Sequence, residues 1–330
     1  MIMYYYKKKL SRIIEKSFIS IYLSLMLFAC EYDDLLPPIR ISKFPDNKPS
    51  AVSFTFDDGY PSDINLVYPL FVEESLKCTF FVNPGRVTED RWSQWAFIHD
   101  QGFEIGNHGL MHRNLKELGK DELHVEITTA YELIKLHIGE VPFSYAPAFH
   151  KSSPLADSVI YSNHFALRDN VHFLNSKAAS EFEWKEYGTP DTYSVFELKM
   201  QSAIAKQKWY VPCLHGVNDA SWRPISLDLL TKIVDYVKRN ERNIYVDTFG
   251  NISKYRLERE NVSISRLDGN VVKLISNLDS TVFNLPLTMV IENFDRYNFY
   301  PKHGVKKIKR ENGLGLISLM PNSEFILIRK

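Results

Sequence analysis

The stretch AVSFTFDDGY, residues 51–60, decides the fold and raises the first chemical question. Its apolar and aromatic residues favour a β-strand, and the strand ends in two adjacent carboxylates, Asp57 and Asp58, followed by Gly59. Two neighbouring carboxylates repel, and each resists burial unless it is paired, hydrogen-bonded or bound to a metal ion. An Asp-Gly pair by itself is common in turns, so the motif needs support from elsewhere in the chain.

Segments typical of strands and helices alternate from residue 50 onward for about 200 residues. This alternation predicts parallel strands joined by crossover helices, in an α/β fold built as a distorted barrel of about seven parallel strands. Barrels of this kind carry their chemistry at the carboxyl ends of the strands, where Asp57 and Asp58 stand. The seven strand-like segments are AVSFTF, CTFFVN, FEIGNH, FSYAPAF, HFALRD, KWYVPCLHG and NIYVDTF.

The pattern changes near residue 255. Beyond it, short alternating strands are separated by Gly, Asn, Asp and Pro, which predicts a small all-β, sandwich-like domain. We therefore expect four regions: a signal peptide at 1–29, a linker at 30–49, the barrel at 50–255 and a β-rich domain at 256–330.

The N-terminus is typical of an exported protein. A basic segment precedes SFISIYLSLMLFA (17–29), which is too short for a membrane span of about 20 residues and is typical of a secretory signal. The signal ends in LFAC, which resembles a bacterial lipoprotein box, and an acidic stretch follows. We expect a lipid anchor on Cys30 that holds the protein to a membrane outside the cytoplasm, at the outer membrane or surface of a Gram-negative bacterium. The alternative is ordinary cleavage that leaves Cys30 free.

Composition excludes one class of partner and describes the remaining cysteines. Lys+Arg and Asp+Glu both number 40, so the balance gives no support for a nucleic-acid partner. Cys78 and Cys213 lie in apolar, strand-like runs, where a buried thiol is the expected state. We predict both as core residues and neither as a metal ligand.

Three histidines complete the candidate site. His108 and His112 are four residues apart just past a predicted strand; in a helix, both rings would share one face and could hold one ion. His215 ends the strand in VPCLHG. Each histidine alone is weak support, but all three stand at carboxyl ends of strands that converge in a barrel.

These motifs together resemble those of the polysaccharide deacetylases, the nodulation-protein-B homology group of carbohydrate esterases. The resemblance rests on TFDDG (55–59), His108-x-x-x-His112 and Leu214-His215, and it covers about residues 48–255. It implies that Asp58, His108 and His112 bind a divalent metal, usually zinc. It also implies that Asp57 is the general base and His215 the general acid.

The chemistry of the residues agrees with that division. Adjacent strand residues point to opposite sides, so Asp58 can bind the metal while Asp57 faces the water. Three protein ligands leave a position open for water and substrate. Two imidazoles and a carboxylate would also accept cobalt or nickel.

The sequence departs from the family pattern at several positions. The arginine that orients the base is absent from FSYAPAFH (143–150), although Pro147 is retained; Arg168 is a candidate replacement from the next strand end. Asp247 is a candidate substitute for the acidic partner of His215, and Gly109 stands where many members carry a hydroxyl. The candidate substrate-binding residues are Tyr145, Pro147, Arg168, Trp222 and Asp247. Trp222 can stack on a sugar ring or be an ordinary surface aromatic.

The predicted function is a metal-dependent deacetylase acting on an acetylated poly- or oligosaccharide. The same residues would serve N-acetyl groups and O-acetyl esters, so the bond stays open. The alternative is a non-catalytic, glycan-binding lipoprotein with a relic deacetylase barrel, and a metal-dependent hydrolase of another substrate is a third hypothesis. Loss of turnover with retained metal in Asp57→Asn would distinguish an enzyme from a binder.

Overall fold

The computed structural model describes residues 36–168, 190–267 and 270–330. Parallel strands of the first part curl into the predicted barrel. They are β2 (Ser50–Val52), β3 (Thr55–Asp58), β4 (Thr79–Val82), β5 (Glu104–Asn107), β6 (Ser144–Tyr145), β7 (Ala166–Leu167), β8 (Trp209–Tyr210), β9 (Cys213–Leu214) and β10 (Ile244–Val246). β2 and β3 are two halves of one strand position, as are β8 and β9, so the seven predicted positions are all present and the α/β barrel is confirmed.

The order of the strands explains where the site forms. One sheet runs β7-β6-β5-β4-β3-β9 and a second runs β10-β2-β8, with every pair parallel. The carboxyl ends of β3, β5 and β9 therefore meet at one edge. Asp57 and Asp58 end β3, residue 108 follows β5, and residue 215 follows β9.

Helices cover the outside of the barrel and bury one apolar face each. They are α1 (63–73), α2 (Glu89–Asp100), α3 (120–138), α4 (Pro154–Tyr161), α5 (Tyr193–Ala205), α6 (Leu227–Arg239) and α7 (Phe249–Asn261); α1 and α3 contain the π-helical turns Asp63–Val67 and His124–Thr129. In α6, Leu230, Ile233, Val234 and Val237 are buried at helical spacing. The Ser226 hydroxyl caps α6 by accepting a hydrogen bond from the Leu229 amide.

The C-terminal part is an antiparallel sheet that surrounds its own apolar core. Its strands are β1 (Ile39–Ile41), β11 (Val262–Leu267), β12 (Val271–Ser276), β13 (Leu287–Ile291), β14 (Tyr297–Glu311) and β15 (Leu314–Arg329), in the order β1-β13-β15-β12-β11 with β14 on β15. Asn322 in β15 and Gly304 in β14 have positive φ, and the pairing of β14 with β15 is irregular beside them. Buried side chains of β12, β13 and β15 share one apolar core, so this part is all-β as predicted, built as one six-stranded sheet.

Two details differ from the sequence-based division. Residues 39–41, predicted as part of the linker, form β1 and pair with β13, because Ile39 and Ile41 pack against the core of the C-terminal sheet. The barrel domain was predicted to end at residue 255, but its last helix, α7, continues to Asn261. It continues because Phe249 and Ile252 pack on the barrel while Tyr255 packs on the sheet.

No helix within the described ranges is long and apolar enough to cross a membrane. The predicted signal peptide (1–29) and Cys30 lie outside the described residues.

Candidate active site

Three predicted metal ligands converge at the carboxyl edge of the barrel. The Oδ1 atom of Asp58 lies 3.7 Å from Nε2 of His108 and 3.4 Å from Nε2 of His112. This oxygen is buried and, among the described residues, accepts no hydrogen bond. A buried carboxylate oxygen facing two imidazole nitrogens is the donor set that a divalent cation requires, so the residues fit a metal ion.

The ring of His108 is oriented by the backbone of the next strand. Its Nδ1 lies 2.6 Å from the carbonyl oxygen of Ala146, which can only accept, so Nδ1 donates. In the neutral ring this leaves the lone pair on Nε2, the atom that faces Asp58. Hydrogen bonds of this kind fix the tautomer of metal-binding histidines.

The two histidines lie in a loop and not in the helix that the sequence analysis considered. Gly109 has φ of 82° and His112 has φ of 61°, and these left-handed residues turn the chain so that the two rings lie 5.1 Å apart. A Cβ at Gly109 would lie 2.7 Å from Oε1 of Glu126 and 3.1 Å from the Tyr145 hydroxyl. The close approach and the positive φ explain why glycine replaces a hydroxyl residue here.

Buried polar side chains hold this loop in place. Asn83 donates to the carbonyl oxygens of His108 and Gly109, and Asn107 accepts from the Gly109 amide. Glu126 accepts from the amides of Met111 and Arg113 through one carboxylate oxygen. Sequence analysis did not select these residues, because amides and carboxylates that bond to backbone carry no recognisable spacing.

Asp57 is paired with Arg168. The guanidinium donates from Nη1 to Oδ1 at 2.5 Å and from Nη2 to Oδ2 at 2.6 Å, and Nη1 also reaches the Thr55 hydroxyl at 3.0 Å. Both side chains are buried, Arg168 being 1% exposed. The structure therefore places Arg168 against the carboxylate that an arginine orients in the resembled family, but from the end of β7.

Charge determines the ionisation of Asp57. Burial acts to raise the pKa of Asp57, but the charges of Arg168 and His108 and the hydrogen bonds from Arg168 outweigh it, so the pKa lies well below its ordinary value. Asp57 is consequently ionised at any pH at which the protein would work.

Both aspartates face one cleft, which corrects the argument from strand alternation. Nε2 of His108 lies 3.8 Å from Oδ2 of Asp57 and 3.7 Å from Oδ1 of Asp58. Asp58 has φ of 75°, outside the extended region, so the two-residue period stops at the end of β3. The two carboxylates do not point in opposite directions. They differ in chemistry because they have different partners.

His215 lies on the side of Asp57 that is away from Asp58, His108 and His112, and it is 8% exposed. Burial lowers the pKa of His215, although the charges of Asp57 and Asp58 act in the opposite direction. Its ring is 5.0 Å from that of Trp222, which is 59% exposed. Trp222 therefore lies at the mouth of the cleft beside the predicted acid.

Cys213 is buried, as predicted, but it also belongs to the site. Its Sγ donates to Oδ2 of Asp57 at 3.3 Å, and Asp57, Cys213 and His215 form a second group of potential metal ligands. The prediction that Cys213 is only a core residue missed this. The sequence did offer a signal for this contact. Side chains two residues apart on a strand point to the same side, so residues 213 and 215 share one side.

Three of the predicted substrate-binding residues are enclosed by protein. Tyr145 is 0% exposed, beneath the loop that carries His108, and Pro147 is buried at the end of β6. Asp247 accepts hydrogen bonds from Tyr245, the Thr248 amide and Asn251. Asp247 follows β10, which pairs with β2 and not with β3. Because β2 precedes β3 along the chain, Asp247 lies nearer the amino end of the barrel than the site does.

A model of the polysaccharide deacetylase family matches residues 45–161, which include Asp57, Asp58, His108 and His112. This part of the chain is therefore similar to a polysaccharide deacetylase domain. The match ends before β8 and β9, so Cys213 and His215 are placed in this domain by the barrel itself.

Two curated relatives of the deacetylase domain match parts of their own length. A peptidoglycan deacetylase of Helicobacter pylori is 25% identical over 148 residues, 45% of this chain and 47% of that protein. Chitin deacetylase 2 of Cryptococcus neoformans is 28% identical over 103 residues, 31% of this chain and 22% of that protein. The matches thus span less than half of either relative.

One solved structure superimposes on part of the chain. The Xyl-CE4 domain of a multidomain xylanase, from the hindgut metagenome of Trinervitermes trinervoides, is 17% identical and superimposes with a TM-score of 0.46. That comparison covers 64% of this chain and 94% of the other.

Proposed function

We propose that the protein is a metal-dependent carbohydrate deacetylase that removes acetyl groups from a poly- or oligosaccharide. The observation that carries the proposal is the division between the adjacent aspartates. Asp57 is held by two hydrogen bonds from Arg168, whereas Oδ1 of Asp58 faces the Nε2 atoms of His108 and His112.

Asp58, His108 and His112 would hold the metal. Zinc suits two imidazoles and one carboxylate, and cobalt or nickel would also fit. A divalent ion bound there would polarise the acetyl carbonyl and make water more acidic. Asn83, Asn107 and Glu126 already fix the loop around Gly109. Tight metal binding is therefore favoured, because the metal does not have to order this loop.

Asp57 would act as the general base. It is ionised because of Arg168, and its carboxylate lies within 4 Å of His108, next to the proposed metal position. Asp57 would take the proton of the attacking water, while Arg168 holds the carboxylate in place. Arg168 is a positioning residue here, because it bonds to the base and is itself buried.

His215 would act as the general acid. It lies across the site from the Asp58 group and borders the exposed Trp222. A proton from His215 to the departing sugar nitrogen or oxygen would prevent the release of an anion. This step matters most for an amide, whose nitrogen anion is a very poor leaving group.

Two exposed aromatic side chains support a carbohydrate substrate. Phe149 is 56% exposed and lies 4.6 Å from the ring of His112; Trp222 is 59% exposed and borders His215. The site therefore has an aromatic surface beside each of two functional histidines. Sugar rings placed over these faces would bury apolar C–H surface while their hydroxyls stay in water.

Acetate release is the test of this function. The full chain carrying Cys30→Ser would be supplied with zinc and offered acetylated xylan oligosaccharides beside N-acetylglucosamine oligomers. We expect chelator-sensitive acetate from one of them, which would also identify the bond. No acetate from either, with bound metal and with sugar binding unchanged by Asp57→Asn, would favour the non-catalytic glycan-binding protein.

We also propose that a lipid on Cys30 displays the protein outside the cytoplasm. The proposal rests on the sequence of the N-terminus alone. In cells, the unchanged chain should sediment with membranes and the Cys30→Ser chain should not. Equal sedimentation of the two would contradict the anchor.

A further inference from the structure

A cluster of side chains beside the proposed metal ligands is suited to a second cation. We name it the thiol cluster: Asp57, Cys213, His215 and His150. One ligand atom from each of Asp57, Cys213 and His215 lies within 4.8 Å of the others. Sγ of Cys213 is 3.3 Å from Oδ2 of Asp57 and 4.0 Å from Nε2 of His150.

The ring of His215 is a second observation at this cluster. The side chain is more than nine-tenths buried, and within the described ranges its Nδ1 has no hydrogen-bond partner. A buried ring nitrogen without a partner is destabilising, and a bound ligand can offset that cost. The proposed metal ligands Asp58, His108 and His112 give Nδ1 of His215 no hydrogen-bond partner, and neither does the pair of Asp57 with Arg168.

The chemistry of the donors selects a soft ion. A thiol that loses its proton supplies a thiolate, which prefers zinc or cadmium, and an imidazole suits the same ions. The Asp58 group offers no sulfur, so the two groups differ in the cations they favour. Arg168 beside Asp57 opposes a second positive charge, and the thiolate provides the negative charge that compensates for it.

We infer that the thiol cluster is a second, inhibitory site for a thiophilic divalent cation. Binding exchanges the Cys213 proton for the metal, and the proton is released to solvent. The inhibitory consequence rests on the proposed function, because the ion would occupy both the base, Asp57, and the acid, His215. Excess zinc would therefore stop the reaction that a first equivalent supports.

Cobalt titration tests the site without reference to activity. The metal-free full chain carrying Cys30→Ser has only two further cysteines, Cys78 and Cys213. We expect a second equivalent of Co²⁺ to produce a thiolate-to-cobalt charge-transfer band. The band should vanish in Cys213→Ser and Cys213→Ala and persist in Cys78→Ser, since burial raises the pKa of the Cys78 thiol well above its ordinary value.

The zinc dependence of acetate release tests the consequence. Acetate release should fall about tenfold when free zinc exceeds the Kd of the second site about tenfold. The ratio of activity at high zinc to activity at low zinc should return towards one in Cys213→Ser. Binding of a single equivalent without a charge-transfer band, or a band that survives Cys213→Ser, would overturn the inference. A Cys213-dependent band without acetate release at any zinc concentration would support the site and reject the proposed function instead.

Discussion

Asp57 at the carboxyl end of the barrel and Glu104 at its amino end are both carboxylates surrounded by protein, yet their partners differ. Asp57 is bound by the guanidinium of Arg168, and its pKa lies below the ordinary value. Within the described ranges, Glu104 accepts hydrogen bonds from neutral groups, namely the hydroxyls of Thr79 and Ser144 and the amide of Gly250. Burial raises the pKa of Glu104 despite these bonds.

The difference separates a carboxylate held by a charged partner, the proposed base, from one held by neutral partners. Neutral donors satisfy Glu104 and join the first turn of α7 to the barrel, with the Thr79 hydroxyl accepting from the Phe249 amide. The charge of Arg168 keeps Asp57 ionised beside a cleft that holds three histidines, His108, His112 and His215. Partner charge, more than burial, therefore distinguishes the two ends of the barrel.

The largest effect is expected from Asp57→Asn. Because the amide cannot accept the proton of water, kcat should fall about 10²–10⁴-fold. One equivalent of metal should remain, since Asp58, His108 and His112 are intact. Steady-state acetate release and metal analysis on the same preparation test this; full activity in Asp57→Asn would remove Asp57 from the proposed mechanism.

Removal of the charge at Arg168 should affect both stability and rate. Arg168→Met leaves the buried Asp57 carboxylate without its cation, which should lower the free energy of unfolding by about 3–5 kcal/mol. Urea unfolding measures the loss.

Arg168→Lys keeps the charge but loses the two-pronged contact, so kcat should fall with KM little changed. An Arg168→Lys variant that changes only KM would argue for a contact with substrate instead.

His164 is a third buried titratable group, and it has neutral partners like Glu104. Its Nδ1 donates to the Ile160 carbonyl, and its Nε2 accepts from the Asn107 side chain. Burial lowers the pKa of His164 from 6.5 to about 4, against the opposing effect of the bond to Ile160.

The unfolded chain therefore binds a proton at His164 between pH 6.5 and 4 that the folded chain does not bind. The contribution to stability is complete above pH 6.5 and declines by up to about 3 kcal/mol as the pH falls towards 4. Urea unfolding at a series of pH values should show this slope. His164→Gln should reduce it, and an unchanged slope would contradict the assignment.

The smallest effect is expected from Glu104→Gln. The amide keeps one acceptor oxygen and replaces the other with a donor that faces a hydroxyl and an amide, which should cost about 1–3 kcal/mol of stability. Acetate release per folded molecule should not change, because the side chain lies at the far end of the barrel. A loss of kcat that matches that of Asp57→Asn would end the distinction between the two carboxylates.

The sequence predicted the parts of the molecule that follow from periodicity. Long apolar runs marked the seven strand positions, and parallel strands bring their carboxyl ends together, so Asp58, His108 and His215 could be grouped before the structure was known. The left-handed loop at Gly109 was not predicted, because it depends on the distant side chain of Glu126.

Other features gave weak local signals. β14 is rich in lysine and mostly exposed, so it lacks the alternation that marks a half-buried strand. β15 was predicted as two strands because Pro321 and Asn322 interrupt its pattern. The contact between Cys213 and Asp57 joins residues 156 apart in sequence, and only the closure of the barrel brings them together.

The pairing of β1 with β13 has a consequence for the order of events during synthesis. Residues 39–41 emerge first and find their partner only when residues 289–291 have followed, with the whole barrel lying between. Closing so long a stretch of chain is slow compared with local pairing. The barrel can therefore be complete before the sheet is, and β1 docks among the last elements. A chain that ends after α7 would leave its first strand without a partner.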